Sequence, residues 1–115
     1  MLVFVYGTLQ RGGSNHHFLR HSRFVSAWTT PARFRLYDLG AYPGVVMPGA
    51  TAIQGELFDV APRTLVQLDR LEEVPRVYRR YSLPTPYGHA IMYVLQRFPR
   101  GASECHGGRW SVVNH

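Results

Sequence analysis

Leu2-Val3-Phe4-Val5-Tyr6-Gly7-Thr8-Leu9 opens the chain with five apolar or aromatic residues running unbroken into a glycine. A strand covered on both faces has no position to spare for a polar side chain, so an unbroken run of this kind predicts a central, buried strand. Later segments must then pack on both sides of it. Gly7 allows a sharp turn, after which the next amides leave the sheet without a fixed ladder partner. Two readings stand side by side. The stretch is a core strand with a glycine turn, or it is also a floor of free amides for a polar ligand group.

The bulk properties narrow the class. A chain of 115 residues makes one domain, residues 1–115, large enough to bury a core without metal or disulfide staples. Its hydrophobic fraction of 45% is that of a folded globule and not of a disordered tail. No apolar run approaches the roughly 18 residues of a membrane span, and the run from Leu2 is too short and lacks the basic leader of a signal peptide. The single cysteine, Cys105, rules out an internal disulfide framework and fits a reducing cytoplasm. A net charge of +6 raises the question of nucleic acid. All thirteen basic residues are arginines, however, spread along the chain with Arg79-Arg80 the one adjacent pair. A nucleic-acid binder shows a basic stripe or a recognisable module, and neither is visible, so nucleic acid is not the expected partner.

Outward from the opening strand, Gln10 to Asn15 reads as a loop in which Ser14 or Asn15 caps a short helix from His16 to Arg20. His16 and His17 point about 100° apart on such a helix and do not share a metal ion. Strands are expected over 24–30 and 33–37 and in a short apolar piece at Val45-Val46, with turns at Tyr42-Pro43-Gly44 and Pro48-Gly49. A further strand covers 51–60, where Gly55 marks a bulge or a close backbone approach. The one long helix has Pro62 in its first turn, a body over 63–73 and a stop at Pro75. Strands at 78–84 and 89–95 close a hairpin through Thr85-Pro86-Tyr87-Gly88. About six short strands with one main helix predict an α+β class, a small curled sheet or barrel.

Helical spacing singles out one residue. Leu65, Leu68 and Leu71 form one stripe, and Glu72 falls inside it, one position past Leu71 and four past Leu68, while Glu73 turns away. A carboxylate on the core-facing side at a helix C-terminus is disfavoured by burial and by the helix dipole, and both raise its pKa. Glu72 there either titrates near neutrality as a general acid/base, or pairs with Arg76, Arg79 or Arg80, or reaches water at a frayed helix end. The remaining inventory is thin. There is no Gly-x-Ser-x-Gly elbow, phosphate loop or dinucleotide fingerprint. Cys105-His106 lies in a glycine-rich tail without a set of zinc ligands, as a reactive thiol or an incidental one.

Three features taken together carry a resemblance: Tyr6-Gly7-Thr8-Leu9 at the end of the first strand, the Tyr42-Pro43-Gly44 turn, and Asp69-x-x-Glu72-x-x-Pro75-x-x-Tyr78-x-Arg80. Across Val3 to Tyr93 the chain resembles the gamma-glutamylcyclotransferase-like superfamily, and within it small bacterial relatives of gamma-glutamylamine cyclotransferase. The resemblance implies a small mixed β-barrel with flanking helices and a pocket between the first-strand loop and the end of the main helix. It further implies release of 5-oxoproline from a small-molecule gamma-glutamyl compound, with Glu72 as the catalytic carboxylate and Tyr6, Gly7, Thr8 and Leu9 as the substrate-binding loop. Tyr42, Pro43 and Tyr78 line the same cavity in this reading. No metal or organic cofactor is called for, and the protein is expected as a cytoplasmic monomer or weak dimer. The competing class is a non-catalytic small-molecule binding protein on the same fold.

Overall fold

The computed structural model describes residues 1–111. Strands β1 (Leu2–Val5), β2 (Arg23–Thr29), β3 (Phe34–Asp38), β4 (Pro43–Thr51) and β5 (Gln54–Asp59) precede helix α1 (Pro62–Leu71), and β6 (Tyr78–Thr85), β7 (Gly88–Leu95) and β8 (Ser103–Glu104) follow it. One sheet has five strands in the order β2-β5-β1-β7-β6, the other three in the order β4-β3-β8. The opening strand is the middle of the larger sheet, antiparallel to β5 and parallel to β7.

Its unbroken apolar run follows from what covers it. Val3 and Val5 pack with Leu19, Leu65 and Leu68 on the helix side, whereas Phe4 and Tyr6 pack with Phe34, Leu36 and Val45 of the smaller sheet. Alternate side chains of one strand therefore enter two separate cores, and neither face meets water. Gly55 serves a close approach: a Cβ there would lie 2.4 Å from the Val5 carbonyl and 2.6 Å from the Phe4 ring. The bulge nearby lies on the partner strand, between Phe24 and Ser26.

Three expectations are corrected. The strands number eight among the described residues and form two sheets, not a closed barrel of six. Pro43-Gly44 and Pro48-Gly49 do not end strands. Both lie within β4, where the register against β3 jumps from Thr51 opposite Phe34 to Val46 opposite Arg35. The residues between form a bulge, in which a proline is not asked for a ladder N–H. The real turn lies earlier, with the Leu39 N–H donating to the Tyr42 carbonyl at 2.9 Å and Gly40 at φ +96°. The two-residue β8 is too short to show a periodicity. The short N-terminal helix is a 3₁₀ turn over His16–Leu19 with no side-chain cap. Leu19 is its one buried residue, too little apolar surface to extend it.

Helix α1 stops by a specific device. Glu73 adopts φ +51°, its N–H donates to the Arg70 carbonyl at 3.1 Å, and the Val74 N–H reaches back to the Asp69 carbonyl at 2.9 Å. These two bonds around a left-handed residue form a Schellman ending. It ends the helix before Pro75 and leaves Glu72 as the capping residue, its own N–H on the Leu68 carbonyl at 2.9 Å.

Candidate active site

The end of β1, the entry to β4 and the end of α1 meet around a cavity of about 300 Å³. Tyr6, Gly7, Thr8, Leu9, Tyr42, Pro43, Glu72 and Tyr78 all line it, so the residues the resemblance assigned to one cavity do reach one space. Gly7 makes the walls meet, since a Cβ on it would stand 2.6 Å from Pro43 Cδ. Tyr42, 44% exposed, stands at the mouth. Although the chain is basic, no arginine lines the cavity; its charged residues are Glu72 and Glu73.

Burial raises the Glu72 carboxyl from its ordinary value of 4.5 to about 7. By accessible surface the residue is half-buried, so its edge still meets the cavity. Of the arginines considered as partners, Arg76 pairs with Glu73 and Arg80 pairs with Asp69. Arg79 lies on the opposite face of β6 from Tyr78 and Arg80, by strand alternation. Among the described residues no ion pair holds Glu72. A carboxyl in this state exchanges a proton near neutral pH.

On the same cavity as Glu72, the loop after β1 spends its carbonyls internally. The Gly7 carbonyl accepts from the Gln10 N–H at 3.1 Å, that of Thr8 from the Asn15 N–H at 2.9 Å, and that of Leu9 meets His16 Nδ1 at 2.9 Å. The N–H groups of Gly7, Thr8 and Leu9 take no part in these bonds. Asn15 also donates its amide to Thr8 Oγ1 at 2.9 Å and lines the cavity. That role replaces the helix cap expected of it.

The tyrosines split in function. Tyr6 Oη donates to the Tyr93 carbonyl at 2.6 Å and accepts from the Val45 N–H at 3.2 Å, tying β7 to β4. Tyr78 Oη donates to the Pro43 carbonyl at 2.7 Å. Burial, reinforced by the Glu72 charge, pushes both phenols above their ordinary range. Their rings wall the cavity while their hydroxyls fasten the two sheets together.

Sequence reading missed one group beside the cavity. Asp69 accepts from Tyr93 Oη at 2.7 Å and from Arg80 Nε at 3.0 Å. Burial pushes its carboxyl up, but the bonds from Arg80 and Tyr93 outweigh that and hold it below the usual carboxylate range. Asp69 and Arg80 are both positions of the pattern that carried the resemblance, and that was the available signal; Tyr93, 24 residues from Asp69, left none. Elsewhere, the half-buried Cys105 packs against the core and burial raises its thiol. Among the described residues no cluster of His, Cys, Asp or Glu is arranged for a metal ion, and no helix is long and apolar enough to cross a membrane.

Comparison with known proteins bears on the same architecture. Residues 3–112 match the family described as gamma-glutamyl cyclotransferase, AIG2-like. A Vibrio cholerae relative provisionally named a gamma-glutamylcyclotransferase is 48% identical over 95% of this chain and 94% of its own length. The solution structure of protein ytfP from Escherichia coli superposes with a TM-score of 0.79 at 35% identity over the full length of both chains. The crystal structure of an AIG2-like protein from Mus musculus gives 0.81 at 25% identity, covering 96% of this chain and 87% of that one.

Proposed function

This chain belongs to the gamma-glutamyl cyclotransferase, AIG2-like family, and from that membership we propose that it releases 5-oxoproline from a gamma-glutamyl amine or a related compound. The substrate's α-amine attacks its own γ-carbonyl carbon. A C–N bond closes the five-membered ring, and the original amide bond breaks to expel an amine. An α-ammonium is no nucleophile, so Glu72 first takes its proton and later returns one to the leaving nitrogen. The oxyanion formed in between, or the substrate's α-carboxylate, is held by the amides of Gly7, Thr8 and Leu9. Ring closure is intramolecular, and much of the acceleration comes from holding the substrate bent between Pro43 and the β1 loop.

The observation that carries this reading is Glu72, an unpaired carboxyl raised to about 7 by burial, on the same cavity as the Tyr6-to-Leu9 loop. It is a stronger base than an ordinary glutamate and still half-protonated near neutrality, so one group serves both proton transfers. Incubation with a panel of gamma-glutamyl amines and peptides yields 5-oxoproline in this reading, with an ascending limb in the pH–rate profile centred near 7. Glu72→Gln lowers kcat by about 10²- to 10⁴-fold, the usual worth of a positioned acid/base. Unchanged turnover in that variant sinks the assignment. Saturable ligand binding without product, insensitive to the substitution, favours the non-catalytic binding protein instead.

A further inference from the structure

Resting on that reading, we infer that Asp69 is a positioning residue whose task is to occupy Arg80, so that the guanidinium does not close onto Glu72 and remove it as a base. The argument begins with helix geometry. Asp69 and Glu72 are three apart on α1 and its cap, which makes them neighbours on one helix surface with Cβ atoms about 5–6 Å apart. Arg80 reaches this surface from β6 and grips Asp69 with two nitrogens, Nε on Oδ1 at 3.0 Å and Nη2 on Oδ2 at 2.5 Å. The guanidinium is therefore held on the carboxylate one helical turn before Glu72. Tyr93 marks the same closeness from β7: its phenol donates to Asp69, its ring lines the cavity, and it feels the charges of both Arg80 and Glu72.

The other groups facing Glu72 do not take over the task. Tyr6 just after β1, Tyr78 from β6 and Tyr93 from β7 are neutral, with hydroxyls committed to the Tyr93 carbonyl, the Pro43 carbonyl and Asp69. Glu73 pairs with Arg76. Arg80 thus comes from β6 to the residue one turn before Glu72, and Asp69 is what holds it. Bidentate pairing suits arginine to a carboxylate and makes the hold directional.

Asp69→Asn isolates the charge, because the asparagine oxygen still accepts from Tyr93 Oη while the negative charge and the Arg80 Nη2 bond to the second oxygen are lost. The experiment follows the Glu72 carboxyl by ¹³C NMR against pH in protein labelled at its four glutamates, with the Glu72 signal assigned by its loss in Glu72→Gln. In Asp69→Asn the Glu72 midpoint falls by about 1 to 3 units, the effect of an arginine at contact. In Asp69→Asn/Arg80→Gln it returns toward the wild-type value. Where the protein turns over gamma-glutamyl substrates, kcat falls at least about tenfold in the single variant, KM moves little, and the double variant recovers most of the loss. An unmoved midpoint in Asp69→Asn, or one equally low in the double variant, overturns the inference. Should Asp69→Asn not fold, Asp69→Ser takes its place in the same titration: a Glu72 midpoint that falls, and recovers when Arg80→Gln is added, supports the inference, and an unmoved one refutes it. Because the titration needs no turnover, a protein that makes no 5-oxoproline ends the proposed function and leaves this test intact.

Discussion

At the scale of one residue, Glu72 is an expense to the fold wherever it is ionised. Its folded pKa, about 7, lies above its ordinary 4.5, so the native state binds the proton more tightly than the unfolded chain does. The cost is absent below about 4.5, grows between there and 7, and is complete above 7. At about 1.4 kcal/mol per unit the full shift corresponds to roughly 3 kcal/mol, less what the solvent-facing edge of the carboxyl recovers. Glu72→Gln is therefore expected to stabilise the protein by on the order of 1–3 kcal/mol at pH 8, with the gain shrinking toward zero at pH 4.5. Denaturant midpoints of both proteins at the two pH values check this, and a gain independent of pH would contradict it. The inward turn of Glu72 was legible in the sequence because it depends on helical spacing alone. That no arginine closes on it was not, because Arg76 and Arg80 choose their carboxylates only when Glu73 and Asp69 reach them in space.

At the scale of the element, the end of α1 shows where local signals stop short. Pro75 announced the stop, yet the helix is ended earlier by Glu73 in the left-handed region, a conformation that costs an L-residue about 1–2 kcal/mol and suits glycine. That cost falls on the residue after Glu72, where it fixes how the capping carboxyl enters the cavity. Glu73→Gly should relieve it. The loss of the exposed pair with Arg76 is nearly neutral, and the added freedom of the unfolded chain offsets part of the gain. The net expectation is a stabilisation of about 0.5 kcal/mol, a rise in Tm of a few degrees by thermal unfolding. A lowered Tm would show that Glu73 makes a contact worth more than its strain. The Pro-Gly pairs misled for a related reason: a proline signals a missing donor, and whether that ends a strand or bulges it depends on the partner strand's register.

Across the whole molecule, the cavity exists because two sheets and one helix are held at a set distance by buried phenols. Tyr6 alone satisfies the Tyr93 carbonyl of one sheet and the Val45 N–H of the other. Tyr6→Phe leaves both backbone groups unpaired in the interior, and the expected loss is about 1–3 kcal/mol in equilibrium unfolding. A variant as stable as the wild type would mean that water or a shifted strand replaces the hydroxyl. The amino-acid sequence by itself determined the α+β class, the central position of β1, the helix with Glu72 on its inner stripe, and the set of residues that meet at the cavity. The first three follow from periodicity and turn chemistry, which act within a few residues of the chain; the set at the cavity was implied by the family resemblance of its motifs. Tertiary structure alone decided that the strands form two sheets instead of a barrel, that Tyr6 and Tyr78 spend their hydroxyls on the backbone, and that Arg80 goes to Asp69. Each of these depends on groups far apart in sequence, such as Tyr6 and Tyr93, 87 residues apart, whose pairing is set by packing and by the cost of leaving a buried polar group alone.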